Sequence, residues 1–281
     1  MPTPCSAAHT PLTLPVHVSL GAYGKLSHEN AIAHALAHPP SEPLLGRLST
    51  AHLQLCPQNR GQVDAHLAAL LRKNHPDVSF RLHANVQVTD TPRIVDLCDW
   101  PHEKAWFAQI ANVSAALQAP AYIAHAGKRE RASVVDVLNH VREVEQLFGI
   151  PVGIEGHYST PRNTWLIHSW EEYRQLLDSG VHYALDLSHL NILAVRSRRI
   201  EWSLVQEMLA SENCLEVHVS GNDGSADQHL PLETPPWWFP LLADIHAHAV
   251  IFSEGRQTHF PSAGPPHSCL TEARHTLPSP A

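Results

Sequence analysis

Three features of this 281-residue sequence predict an α/β fold, a (β/α)8 TIM barrel with an incomplete or irregular eighth helix. Eight short β-branched or apolar runs alternate with longer stretches of helical periodicity, as repeated strand and helix units around a parallel sheet require. Most of those runs end in an imidazole or a carboxylate, and barrels of this kind carry their chemistry at the carboxyl ends of the strands. The third feature is size: 43% hydrophobic content over 281 residues fills one large core, and a barrel reaches this length without dividing into domains.

In chain order the strands are expected at "VHVSL" (16–20), "AHLQLC" (51–56), "VSFRLHA" (78–84), "AYIAHA" (121–126), "PVGIE" (151–155), "HYALDL" (182–187), "CLEVHVS" (214–220) and "AVIFSE" (249–254). The first four are followed by the helix candidates "SHENAIAHALAH", "GQVDAHLAALLRKN", "EKAWFAQIANVSAALQ" and "ASVVDVLNHVREVEQLF". In the last of these, Val135, Leu138, Val141, Val144 and Leu147 recur at three- and four-residue spacing and predict one apolar face. "SWEEYRQLLDSG" opens on Ser169, a good N-cap, and closes on Gly180; "EWSLVQEMLA" and "WWFPLLADIHAH" complete the series. After the eighth strand, "GRQTHFPSAGPPHSCLTEARHTLPSPA" holds too much proline for a long helix. A single domain over 1–281 is expected, with a loose start (1–14) and a Pro-rich tail (256–281).

A formal net charge of -8, with only 19 Lys and Arg, offers no general attraction to nucleic acid or to an anionic membrane. The five cysteines (Cys5, Cys56, Cys98, Cys214, Cys269) are odd in number, widely spaced and form no CxxC pair. Neither a disulfide framework nor a thiolate zinc site is indicated, and a cytoplasmic location fits. No segment approaches the length needed to span a bilayer, so no membrane association is expected.

With 23 histidines in the chain, a single histidine means little and its position decides. The third strand ends near His83, the fourth near His125, the fifth at Glu155, the sixth at Asp186 with His189 just beyond, the seventh at His218 and the eighth at Glu254. The loop after the seventh adds Asp227 and His229 in "HVSGNDGSADQHLPL". An ionised carboxylate in a barrel mouth is costly without a partner, and metal coordination offsets that cost. Imidazole and carboxylate together suit Zn, Mn or Fe, and the donors exceed what one ion can use.

These residues resemble the endonuclease IV branch of the xylose isomerase-like barrel superfamily, which includes AP endonuclease family 2 and sugar phosphate isomerases and epimerases. That branch carries a histidine after strands three and four, a glutamate on five, D-x-x-H on six, a histidine on seven, D-x-H in the next loop and a glutamate on eight. Here the order is His83, His125, Glu155, "DLSH" (Asp186, His189), His218, "DQH" (Asp227, His229) and Glu254. "VHVSLGAYG" and "PQNRGQ" resemble the family's first strand and its loop after strand two.

The resemblance implies a first ion on His83, His125 and Glu155, a second on Glu155, Asp186, His218 and Glu254, and a third on His189, Asp227 and His229. Glu155 is then the bridge, and Glu155, Asp186 and Glu254 carry the catalytic roles. The implied activity is metal-dependent hydrolysis of a phosphoester, DNA included, at two or three zinc ions. The stretches "HANVQV", "EGHYS" and "LPLETPPWW" differ from the family's substrate-reading loops.

Other candidates are weaker. Arg60, Lys128 and His157 are placed as substrate contacts, with Arg129 beside Lys128 in "HAGKRE" and Tyr158 beside His157 in "EGHYS". Trp237 and Trp238 either stack on a ring or cap a barrel edge. His246 and His248 precede the eighth strand, at the end away from the chemistry.

Two other activities fit part of the pattern. A single-metal (Mn or Mg) sugar isomerase or epimerase needs only the quartet Glu155, Asp186, His218 and Glu254, two of them acting as base and acid. A multi-iron oxidase of small peptides resembles the same histidine- and carboxylate-rich mouth. Pure metal storage fits least, because an open, many-donor mouth is a catalytic rather than a closed structural site.

Overall fold

In the computed structural model, which describes residues 14–257, the apolar runs form β1 (Val16–Ser19), the two-residue strands β2 (Ser41–Glu42) and β3 (Gly46–Arg47), β4 (Ser49–Leu55) and β5 (Ser79–Leu82). They continue as β6 (Tyr122–His125), β7 (Val152–Glu155), β8 (Tyr183–Asp186), β9 (Cys214–Val219) and β10 (Val250–Ser253). Eight of the ten close a parallel barrel in the order β1-β10-β9-β8-β7-β6-β5-β4, while β2 and β3 pair as a separate antiparallel hairpin. Most of the expected loose start, and the tail from residue 258, lie outside the described residues.

The helices are α1 (His28–Ala37), α2 (Ala65–Asn74), α3 (Lys104–Leu117), α4 (Val134–Phe148), α5 (Trp170–Asp178), α6 (Leu187–Ser197) and α7 (Trp202–Ala210). Side chains satisfy several of their orphan amides: Ser27 accepts from Asn30, Asp64 from Leu67, Ser133 from Asp136 and Ser169 from Glu172. Past α5 the chain turns at Gly180 with φ of +69°, a backbone that glycine adopts without strain. No helix among the described residues is long and apolar enough to cross a membrane. Cys56, Cys98 and Cys214 are free and buried.

Four details depart from the sequence reading. The buried face of α4 is Val134, Val137, Val141 and Val144, whereas Val135 is 65% and Leu147 43% exposed. The apolar stripe is thus rotated, and the outer residues of the expected set cover the solvent side. "WWFPLLADIHAH" forms only a 3-10 turn, Phe239–Asp244, with a proline near its start, instead of a full helix. An additional helix, α6, begins immediately after Asp186, in a stretch to which the sequence reading gives no element.

The fourth departure is the β2–β3 hairpin, which meets β10. Phe252 sits in register with His218 and its ring lies 6.4 Å from the His218 ring inside the barrel, so Ser253 points outward. The Ser253 hydroxyl donates to Glu42 of the β2–β3 hairpin, and the Leu232 amide donates to the same carboxylate at 3.1 Å. The hairpin therefore covers the outer face of β10, and Glu42 is only 2% exposed there.

Candidate metal centre

Parallel register puts the donors side by side. His125 pairs with Glu155 across β6 and β7, and Asp186 with His218 across β8 and β9, so each pair shares a level of the barrel. His83 follows β5 directly and Glu254 follows β10. The loop after β9 returns across the mouth through backbone pairing of Gly221 with Leu230, carrying Asp227 and His229 inward. Within this loop Asp223 accepts from the amide and hydroxyl of Ser225, which makes it a turn-former.

All nine sequence-derived donors meet at the mouth. His83 Nε2 and His125 Nε2 each lie 3.7 Å from Glu155 Oε2. Glu155 Oε1 faces His218 Nδ1 at 3.5 Å and His189 Nδ1 at 4.0 Å. Glu254 Oε1 is 3.4 Å from His83 and 3.6 Å from His218, and its Oε2 is 3.5 Å from His229 Nδ1. His189 Nε2 lies 3.3 Å from Asp186 and 3.5 Å from Asp227, which is 3.0 Å from His229 Nε2. The atoms of His83, His125 and Glu155 fall within 4.8 Å of one another, as do those of Glu155, Asp186 and His218.

The outward nitrogens of three histidines are held by other groups. His83 Nδ1 donates to the Ala84 carbonyl at 3.1 Å, and His189 Nδ1 to the Gly156 carbonyl at 3.0 Å. His125 Nδ1 faces Asp96 at 3.6 Å. For His83 and His189 this leaves Nε2 toward the centre, the tautomer a metal ligand requires, whereas His125 Nδ1 also meets the Asn85 amide nitrogen at 3.4 Å. Asp186 divides its oxygens similarly: Oδ1 caps α6 through the amides of Ser188 and His189, and Oδ2 faces His189 Nε2. Glu155 Oε2, His218 Nδ1 and His229 Nδ1 are buried without a hydrogen-bond partner. Buried polar atoms are seldom left so, and divalent ions fit this donor set.

Electrostatics agree with that fit. Burial alone would raise Glu155, but His218 and His125 outweigh it and hold the carboxyl well below its ordinary range. Burial likewise opposes the charge on His83 and His189, yet the carboxylates around them lift these imidazoles to about 9 and about 10. Burial is the largest influence on Asp186 and raises it to about 6, against the pull of His189. Positive charge on these histidines thus offsets the carboxylates around them.

A cavity of about 630 Å³ opens above these donors. One wall is the His157 ring stacked on Trp165 at 4.5 Å, and Ile94, 78% exposed, stands on the rim. Of the three expected substrate contacts, His157 lines the cavity; Arg60 and Lys128 are not among its lining residues. Arg60 is exposed and its amide bonds to Leu26, while Lys128 pairs with Glu130 at 3.9 Å. Arg129 pairs with Glu172. The arginine at the cavity is instead Arg93, paired with Glu103. Trp238 is fully buried, and Trp237 packs edge-on against Trp202 at 5.2 Å, so both close the barrel edge. Asp96, Cys98 and Asp99 also cluster, but Asp99 is taken by the Asp96 amide and Arg131, and Cys98 Sγ accepts from Lys128.

Sequence reasoning missed Asp96, Arg93 and Trp165. None ends a strand, and the only signal was their position in the loops that follow strands with donors.

No protein-family model and no curated protein matches the chain. Solved structures do. A D-tagatose 3-epimerase-like protein aligns at TM-score 0.63 and 15% identity over 87% of this chain and 91% of its own. AP endonuclease, family 2, from Brucella melitensis aligns at 0.58 and 13% identity, covering 88% and 95%. Endonuclease IV from Thermus thermophilus aligns at 0.52 and 16%, covering 88% and 93%. Epimerases and endonucleases alike share this architecture, and the chain has the same (β/α)8 barrel fold.

Proposed function

We propose that this protein is a multinuclear metalloenzyme that hydrolyses a phosphoester small enough, or presented end-on enough, to enter the cavity. The observation that carries this reading is the orientation of Glu155, whose Oε2 faces His83 and His125 and whose Oε1 faces His218. A carboxylate shared in that way bridges ions, and a single-ion isomerase has no use for the remaining donors.

His83, His125 and Glu155 would hold one zinc ion, Glu155, Asp186, His218 and Glu254 a second, and His189, Asp227 and His229 a third. Such ions, when bound, supply a hydroxide nucleophile near neutral pH and positive charge for the phosphoryl oxygens. The chain's own residues position and shield. His157 is kept neutral, with burial first and His125 next lowering it to about 3, and its Nε2 is buried without a hydrogen-bond partner. The His157–Trp165 wall excludes water from one side. Duplex DNA is the less suited phosphoester, because the net charge of -8 offers it no general attraction.

One observation favours a second reading, oxidation at iron. His83, His125 and Glu155 form a two-histidine, one-carboxylate set facing an open cavity, the arrangement typical of non-haem iron sites. Elemental analysis of protein purified without added metal separates the readings. Zinc at about three ions per chain supports the hydrolase, iron supports the oxidase, and one manganese or magnesium ion supports the isomerase. Zinc-replete protein that cleaves neither a chromogenic phosphodiester nor an abasic duplex would exclude the hydrolase.

A further inference from the structure

The barrel layer beneath the donors holds a buried ion pair. Side chains two apart on a strand point the same way, so Arg81 lies one level below His83, and Glu216 one level below His218. Arg81 Nη1 is 3.0 Å from Glu216 Oε1, with side-chain exposures of 7% and 0%. Gln54 on β4 donates to Glu216 Oε2 at 2.9 Å. Barrel interiors are ordinarily packed with branched apolar side chains, and a buried ion pair adds little net stability for its desolvation cost. This pair therefore calls for a role of another kind.

That role is visible in what Glu216 does next. Its Oε2 lies 3.0 Å from His218 Nε2. Gln54 Nε2 is also 3.1 Å from the same ring nitrogen, but a neutral imidazole with Nε2–H meets a charged acceptor in Glu216, which is the stronger bond. Nδ1 is then the lone-pair nitrogen, and it is the buried, unpartnered atom that faces Glu155 Oε1 at 3.5 Å and Glu254 Oε1 at 3.6 Å. His83, His125 and His189 turn Nε2 toward the centre; His218 is turned the other way.

We propose that Glu216, anchored by Arg81 and Gln54, is a positioning residue that fixes His218 in the Nε2–H tautomer and aims Nδ1 at an ion shared with Glu155, Asp186 and Glu254. The proposal rests on the metal-centre reading above. It adds a carboxylate–histidine–metal relay that runs through the barrel core rather than from a loop.

Three measurements test it. Wild-type protein is first loaded with zinc and its ion content counted; no bound zinc overturns the metal-centre reading and this proposal with it. Given zinc binding, nitrogen-15 histidine NMR of the zinc-loaded wild type is expected to show His218 protonated at Nε2 and ligated through Nδ1. The opposite tautomer overturns the relay while leaving the metal centre standing.

Glu216→Gln is then expected to weaken one ion about 10- to 100-fold, read by chelator competition and by the absorption of the cobalt-substituted protein. The other ions should stay in place. Arg81→Gln/Glu216→Gln removes both charges, so it leaves no unpaired buried ion and is expected to show the same single-ion loss. Unchanged affinity in a folded variant overturns the proposal.

Discussion

The carboxylate of Glu155 is 1% exposed, and each of its oxygens has two histidines within about 4 Å. Truncation at this position leaves four imidazoles without their shared counter-charge. Glu155→Ala is therefore expected to lose at least two ions and all activity, measured by elemental analysis and by phosphodiester turnover; full retention of both would remove Glu155 from the bridge. Gly127, two residues past His125, has φ of +92°, and a Cβ there would stand 2.4 Å from Cys98 Sγ and 2.8 Å from Asp96 Cβ. Gly127→Ala is expected to cost about 1–3 kcal/mol in denaturant unfolding and to disturb the Asp96 contact to His125. The donors themselves were legible because each stands at a strand end or in D-x-x-H or D-x-H spacing. Asp96 was not, since a loop residue reveals its partner only after the loop folds, and Glu216 was not, since inward and outward levels of a strand look alike in a buried apolar run.

At the scale of elements, α4 separates periodicity from burial. Val141 is 1% exposed and Val135 65% exposed, although both belong to the expected apolar stripe. Val141→Asp is expected to destabilise by more than about 3 kcal/mol, and Val135→Asp to stay within about 0.5 kcal/mol, by thermal or denaturant melting. Neighbouring valines allow two faces one residue, about 100°, apart, and only packing against the sheet chooses between them. α5 offers a pH test away from the metal donors. Burial would raise Glu172, but the His168 hydrogen bond and Arg129 lower it to about 2. A carboxyl depressed on folding contributes stability that is present above its unfolded value near 4.5 and fades as pH falls toward 2. Glu172→Gln is expected to flatten that acid limb of the stability curve. The eight strands and most helices could be read from alternation, whereas α6 was hidden because its first turn coincides with the D-x-x-H donors, and the β2–β3 hairpin because two-residue strands carry no period.

For the whole molecule, the net charge of -8 offers no general attraction to duplex DNA. Little or no retention on duplex DNA is expected at about 0.1 M salt, and tight, salt-sensitive binding would redirect the substrate assignment. Removal of metal should act on the fold as well as on activity. Ligands that bind only the native state add about 2.7 kcal/mol at a hundredfold excess over Kd, so chelation is expected to lower the melting temperature, and re-addition of zinc to restore it. The hairpin that covers β10 also has a consequence for the order of assembly. Glu42 comes from the first part of the chain, while Ser253 and Leu232, its partners, come from the last described part. During synthesis the early half can gather its strands and helices, but β10 must slot between β1 and β9 before the Glu42 carboxylate can leave water. Burial of that one side chain thus depends on the last described strand: without β10 the barrel is an open sheet whose free edges are β1 and β9.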